Sequence, residues 1–597
     1  MRSILVFLLL LILLVPAVAA APPTADLEAR RRAFNDLLAE QWEYNLRTSP
    51  EFASILGDKR YNDQLSDISL KFVLDDLEMT RKFLARFEAV DTSGFSEQEV
   101  LSKALMVRDL KQQLDFAPFK EWEMPVTQLG GPHLDMPQLV ALLAFTNVKD
   151  YEDYIARVRK FPKVMDDTMD HMRHGMADHL MPPRFLLEKV ATQADNIVTS
   201  DLEQSPFAQP LAKFPDSVGE ADRKRLHDAT IAAIRESVNP AYAKFAKFVR
   251  EEYAPKGRTE AGIWSLPDGV PRYAAMVRRS TTTDLTPEEI HQIGLKQVAD
   301  LEAQMLAIAQ KLGYKDLKSF NADIDKDPKL HAHSRQQILD LYRTYADTMW
   351  AQLPSAFGRL PKAKLEVMPI EEFHEKEAST HYNQGTSDGS RPGHVMVNTG
   401  DFEHRKLISI ESTAYHEGVP GHHMQISIAQ ELPELPPFRQ QEFYGAYIEG
   451  WALYCEKLGK EMGFYKDPYS DYGRLQDEML RAIRLVVDTG FHSKHWTRQQ
   501  VVDYFHAHSA VDEPDVQSET DRYIARPAQA LSYKIGQLKI LELREHARKQ
   551  LGAKFDLRAF HDEVLGAGAL PLNVLQNRIG EWIVAQNKGT GGMAVAK

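Results

Sequence analysis

The segment LISIESTAYHEGVPGHH, residues 407–423, decides how this chain is read. Leu407 to Tyr415 suits a helix and runs straight into His416-Glu417. His followed at once by Glu is the front half of the zinc-peptidase helix motif, in which a second His four residues on shares the helix face. Here Pro420 stands at that position, and the next imidazoles are His422 and His423. In an unbroken helix, a residue six positions on points about 240° away from the first. Pro420-Gly421 breaks or kinks a helix, and a local distortion can return His422 to the side of His416. His423 is the rival. Seven positions restore the face, but the rise of about 10.5 Å is long for two imidazoles on one ion. The reach favours His422 and leaves His423 open.

A catalytic zinc usually takes three protein ligands and keeps one position for water. Glu449 stands in Tyr447-Ile448-Glu449-Gly450-Trp451-Ala452-Leu453-Tyr454, an apolar and aromatic helical stretch. A lone carboxylate there is costly without a cation. It is the expected third ligand. Glu456, seven further along on the same face, is the weaker candidate. The plain alternative is that Glu449 pairs with an Arg such as Arg481 or Arg484. Two imidazoles and a carboxylate suit zinc among the divalent ions.

Outward from this centre the chain reads as mainly α. Residues 22 to about 255 are helix after helix, with apolar residues at three- and four-residue spacing in charged surroundings. Thr286-Pro287-Glu288-Glu289 carries the signature of a helix start, with a long helix to about Leu312. The strand signals fall in 364–400: Lys364 to Pro369, Ser379 to Asn383 and His394 to Asn398, with turn chemistry in Ser387 to Gly393. A small sheet or hairpin beside the centre is expected. The domain reading is a leader at 1–20, an N-terminal helical region at 21–275, a catalytic helical region at 276–588, and a frayed tail at 589–597. A deep cleft is expected between the two helical regions.

The chain has 597 residues with 43% hydrophobic and 26% charged, an ordinary globular balance. Its formal net charge of −13 gives no basic footprint for nucleic acid. Arg2, the apolar run Leu5 to Val15, and Ala17-Val18-Ala19-Ala20 form a secretory signal pattern. That run is short for a bilayer core of ~30 Å. No cysteine follows it, which argues against lipidation. No later stretch is apolar enough to span a membrane. An exported protein, periplasmic or secreted, follows. Cys455 is the only cysteine, so no intramolecular disulfide forms, and it reads as a core residue. No Walker-type phosphate loop appears.

The His416-to-His423 segment, the Glu449 motif, and Arg481-Ala482-Ile483-Arg484-Leu485-Val486-Val487-Asp488-Thr489-Gly490 followed by His492 together resemble the DUF885 family. The resemblance extends to Thr281–Gly294, to Asp388–Gly393 and to Arg526–Gly536. The family is generally grouped with the HExxH-type metallopeptidases. The resemblance implies a helical zinc-peptidase-like fold similar to the dipeptidyl carboxypeptidases and oligopeptidases. It implies hydrolysis of short peptides, with Glu417 as general base. Helical zinc peptidases of this kind often use a late Tyr or His against the oxyanion, which points to Tyr533 first. Tyr523, Arg526, His423 and His492 are the expected substrate-binding residues, with Arg522 and Lys534 as further cations for a substrate carboxylate. The strand near His394 to Asn398 is expected to pair with an extended peptide. Two alternatives are a metal-dependent hydrolase of a non-peptide amide and a metal-containing binding protein without turnover. The oligomeric state is not legible.

Overall fold

The computed structural model describes residues 24–370, 375, 379–386, 391–433 and 435–589. The leader at 1–20 and all of the tail beyond Gly589 lie outside the described residues, as does most of the turn segment 387–393.

The fold is mainly α, as the periodicity predicts. Local chemistry sets many helix starts. Thr286 opens the helix Pro287–Lys311: its hydroxyl accepts from the Glu289 amide at 3.2 Å, and the Glu289 carboxylate accepts from the Thr286 amide at 2.8 Å. Both bonds occupy amides that the first turn leaves without helical partners. Ser96 with Glu99 and Thr497 with Gln500 repeat the device.

Packing joins distant parts of the chain. One apolar core combines Phe34, Phe83 and Leu105 with Trp451, Ile540 and Ile579. A second core is built within residues 126–254. Residue 275 lies inside the helix Gly269–Thr281, so the boundary expected there does not fall on a linker. Glycines allow the closest helix crossings. A Cβ on Gly450 would meet the Gly536 Cα at 2.4 Å, which fixes how tightly the helix Gly445–Glu461 rests on the helix Ser532–Leu551. Gly294 does the same for Pro287–Lys311 against Leu485 and Val486 of the helix Pro468–Ser493.

The expected β element is a three-stranded sheet: β1 (Leu365–Pro369), β2 (His381–Asn383) and β3 (Gly393–Val397), in the order β1-β3-β2. β1 runs parallel to β3, with Val367 opposite Val395. β2 runs antiparallel to β3, with Tyr382 opposite Val395. This corrects the expectation for His394 to Asn398. That segment forms the central strand and is paired on both sides, so it has no edge to offer a peptide. The edges are β1 and β2.

Candidate metal centre

The helix Ile410–Glu417 ends directly after the His-Glu pair, and a new helix begins at His422. Gly418 and Gly421 make the turn between them. The Gly421 amide donates to the Tyr415 carbonyl at 3.0 Å, and the His423 amide to the Gly418 carbonyl at 3.1 Å. A Cβ on Gly421 would sit 1.9 Å from the His416 carbonyl oxygen, so only glycine permits this return. The Pro420 carbonyl accepts from the Trp451 indole N–H at 2.9 Å and from the Cys455 thiol at 3.3 Å. These bonds anchor the turn to the helix that carries Glu449. The His416 and His422 rings stand 4.8 Å apart, edge to face.

Three ligand atoms converge there. Glu449 Oε2 is 3.7 Å from His416 Nε2 and 3.6 Å from His422 Nε2. Ligand atoms on a tetrahedral ion at ~2.0–2.2 Å lie about 3.3–3.6 Å apart. Glu417 closes the group, its carboxylate within 4.8 Å of both imidazoles. Burial opposes ionisation of Glu449, but hydrogen bonding and charge from His416 and His422 outweigh it and hold the carboxyl well below its usual range. Burial pulls the His416 imidazole down; Glu449 and Glu456 overcome this and lift it to about 10. The pocket is built to hold positive charge.

Behind the centre, His416 Nδ1 lies 2.7 Å from Glu456 Oε1, and both side chains are nearly fully buried. Nδ1–H therefore donates to the carboxylate, and Nε2, which faces Glu449, is the nitrogen that would exchange its proton for a metal. The weaker candidate ligand thus stands on the far nitrogen of His416. His422 Nδ1 is buried and has no partner among the described residues.

The centre opens into a cavity of about 690 Å³. Its walls come from residues 305–533, among them His381 and Tyr382 of β2, Ser409, Phe443, Asp477, Arg481, Arg484, Glu519, Arg522 and Tyr533. Among the described residues, none before residue 276 lines it. The described walls of this cavity therefore come from the C-terminal region.

His416, Glu417, His422, Glu449 and Tyr533 share this cavity. The Tyr533 hydroxyl accepts from Arg522 Nη2 at 3.4 Å, and its ring lies under the Arg484 guanidinium at 4.7 Å. The expected substrate-binding residues are placed elsewhere. His423 is fully buried; its Nε2 donates to the Ala363 carbonyl at 3.2 Å, and its Nδ1 accepts from the Tyr382 hydroxyl at 3.1 Å. His492 is buried, with Nδ1 accepting from the Ile263 amide and Nε2 donating to the Tyr523 carbonyl, each at 3.0 Å. Burial pushes it down to about 3. Tyr523 is buried, and its hydroxyl donates to Glu519 and accepts from Arg484. Arg526 points away and donates to the Leu129 carbonyl at 2.7 Å. Lys534 is buried against Glu478 at 2.6 Å. All five stay off the cavity wall because packing and backbone partners hold their polar atoms.

Arg481 and Arg484, read only as alternative partners for Glu449, instead pair with Asp477 and Glu519. Asp477, Arg481 and Arg484 were legible as one helix face from their i, i+4, i+7 spacing. Burial raises the Asp477 carboxyl to about 6 against the pull of Arg481, and it accepts from the Ser412 hydroxyl. Glu519 carried no such signal; its role depends on which helix it meets.

The donor set fits a zinc ion. His416, His422 and Glu449 would hold it, and their spacing, the acceptor behind His416 and the pull toward positive charge agree with that chemistry.

The family model described as "Bacterial protein of unknown function (DUF885)" matches residues 50–579. Among solved structures, a "putative lipoprotein" from Colwellia psychrerythraea is similar with a TM-score of 0.87 and 29% identity, over 93% of this chain and 99% of that one. A "putative lipoprotein of unknown function" from Shewanella oneidensis has a TM-score of 0.67 and 17% identity, over 91% and 98%, which shows the shared fold. No curated protein matches. With the match running through nearly the whole described chain, the protein belongs to the DUF885 family.

Proposed function

We propose that this protein is a zinc-dependent hydrolase of peptide bonds in short peptides. One observation carries the reading. Glu417 is a carboxylate left over after two imidazoles and Glu449 have been assigned to one cation, and it faces the same cavity. A site that only binds has no need of it.

A bound zinc would supply Lewis acidity toward a carbonyl and lower the pKa of a water. The chain's residues do the rest. Glu417 takes the water proton and later passes it to the leaving amine. The Tyr533 hydroxyl, its oxygen already approached by the Arg522 guanidinium, donates to the carbonyl oxygen as negative charge develops there. Glu456 keeps its proton contact with His416 Nδ1 and fixes the ring. The β2 edge, with His381 and Tyr382 on the cavity wall, offers main-chain groups to an extended substrate. That edge favours a peptide over a non-peptide amide.

Export is part of the same reading. The leader pattern of residues 1–20 and the two similar structures described as lipoproteins support it. No described helix is long and apolar enough to cross a membrane. This chain has no cysteine beside the leader for a lipid, since Cys455 is its only one.

The test is zinc content of the purified protein together with digestion of a mixed peptide library before and after chelation. About one zinc per chain and chelator-sensitive cleavage are expected. Glu417→Gln is expected to keep the zinc and lose ~10²–10⁴-fold in turnover. Cleavage that survives in Glu417→Gln would remove the assigned base.

A further inference from the structure

Three guanidinium groups stand on the cavity wall with Tyr533: Arg481, Arg484 and Arg522. They share few acceptors. Glu519 takes Arg484 Nη2 at 2.9 Å and Arg522 Nη1 at 3.0 Å. Arg481 Nη1 donates to the Asp477 carbonyl at 3.1 Å and stands 3.7 Å from its carboxylate. The three guanidinium groups pair directly with two carboxylates, and Arg522 Nη2 also donates to Gln529 Oε1 at 2.8 Å, while Glu417, Glu449, Asp512 and Asp515 stand elsewhere on the same wall. Arg484 is 4% exposed, and its Nη1 has no partner among the described residues; the same holds for Arg481 Nε. A buried donor left unbonded costs free energy until an acceptor arrives. The Arg522 and Arg481 side chains remain 26% and 18% exposed, so an acceptor in the cavity can reach them.

We infer that Arg481 and Arg522, backed by Arg484, form a subsite for a substrate carboxylate, and that this carboxylate is the C-terminus of the peptide. The inference rests on the peptidase reading for its consequence, cleavage near the C-terminal end, but not for the binding itself. An arginine cluster suits a carboxylate because its N–H groups match both oxygens. A terminus fits better than a chain passing through, because the cavity volume is that of a small-ligand pocket, ~300–1,000 Å³. Glu519 holds the two guanidinium planes of Arg484 and Arg522 together without neutralising both.

The experiment is calorimetric binding of tetra-alanine, of its C-terminal amide, and of an amide whose last residue is glutamate, to the zinc-bearing Glu417→Gln protein. The free acid is expected to bind about tenfold or more tightly than the plain amide, the range of a charge-assisted bond. Arg522→Gln and Arg481→Gln are each expected to shrink that ratio by weakening the free acid more than the amide. Both positions are partly exposed, and thermal unfolding checks each variant's fold. Equal binding of acid and amide would overturn the subsite. So would a preference that persists in both arginine variants, since the carboxylate would then sit elsewhere, the metal included. Recovery of tight binding by the glutamate amide would overturn the assignment to the C-terminus in favour of an acidic side chain. Preference without library cleavage would sink the peptidase reading and leave the subsite standing.

Discussion

Glu456 touches no substrate, yet the geometry makes it a determinant of metal affinity. Its Oε1 accepts from His416 Nδ1 at 2.7 Å, with the two side chains only 3% and 5% exposed. A hydrogen bond to a charged group contributes about 1.5–3 kcal/mol, which is ~10- to ~150-fold in an equilibrium constant at 1.4 kcal/mol per tenfold. Partners of this kind behind a metal ligand are typically worth ~10–100-fold in metal affinity. Glu456→Gln keeps an acceptor oxygen and removes the charge, so about tenfold weaker zinc binding is expected. Glu456→Ala also frees the ring to turn, and about hundredfold is expected. The assay is competition for zinc against a chelator of known affinity at one fixed pH, with thermal unfolding measured on each metal-free variant. If folded Glu456→Ala holds zinc as tightly as the parent, the orienting role assigned to Glu456 is wrong, and His416 is positioned by packing alone.

Three further outcomes follow from the same geometry. Tyr533→Phe removes the hydroxyl from the cavity wall and leaves its ring under Arg484; a fall of ~10²–10³-fold in kcat with little change in KM is expected, and an unchanged kcat in steady-state kinetics would dismiss the oxyanion role. Gly450→Ala forces a Cβ to within 2.4 Å of the Gly536 Cα, so a loss of about 1–3 kcal/mol or more in urea unfolding is expected; an unaffected midpoint would mean that the two helices separate without cost. Burial pushes the Glu442 carboxyl up to about 8, helped by Asp109, which is itself raised to about 6, while Arg108 opposes without cancelling. A carboxyl raised in the folded state binds its proton more tightly there than in the unfolded chain, so its stabilisation is present at low pH and lost as pH rises from about 4.5 through about 8. The melting temperature is therefore expected to fall from pH 5 to pH 8, and Glu442→Gln to flatten that slope; a steeper slope in the variant would reverse the sign of the argument.

The sequence alone determined the class of the fold and pointed to most of the candidate donors. Periodicity at three and four residues specifies helices because one face must be buried, and cap residues such as Thr286 with Glu289 place their starts through local bonds. His416 and Glu417 were visible as the front half of the zinc-peptidase helix motif, and Glu449 because a carboxylate in an apolar, aromatic helix is costly without a cation. What only tertiary structure decided is which nearby polar residues reach the cavity. His422 and His423 are adjacent in the chain, yet the close turn at Gly421 sends one to His416 and the other to the Ala363 carbonyl. Tyr533 and Tyr523 are alike in composition and region, but one stands at the first turn of its helix on the cavity wall and the other is packed beneath Arg484 and Glu519. β3 is the central strand and β1 and β2 are the edges because pairing partners, which set edges, lie far apart in sequence. Residue type and spacing fix what a side chain is able to bind; its direction depends on helix crossings such as Gly450 on Gly536, whose distance is set by both surfaces at once.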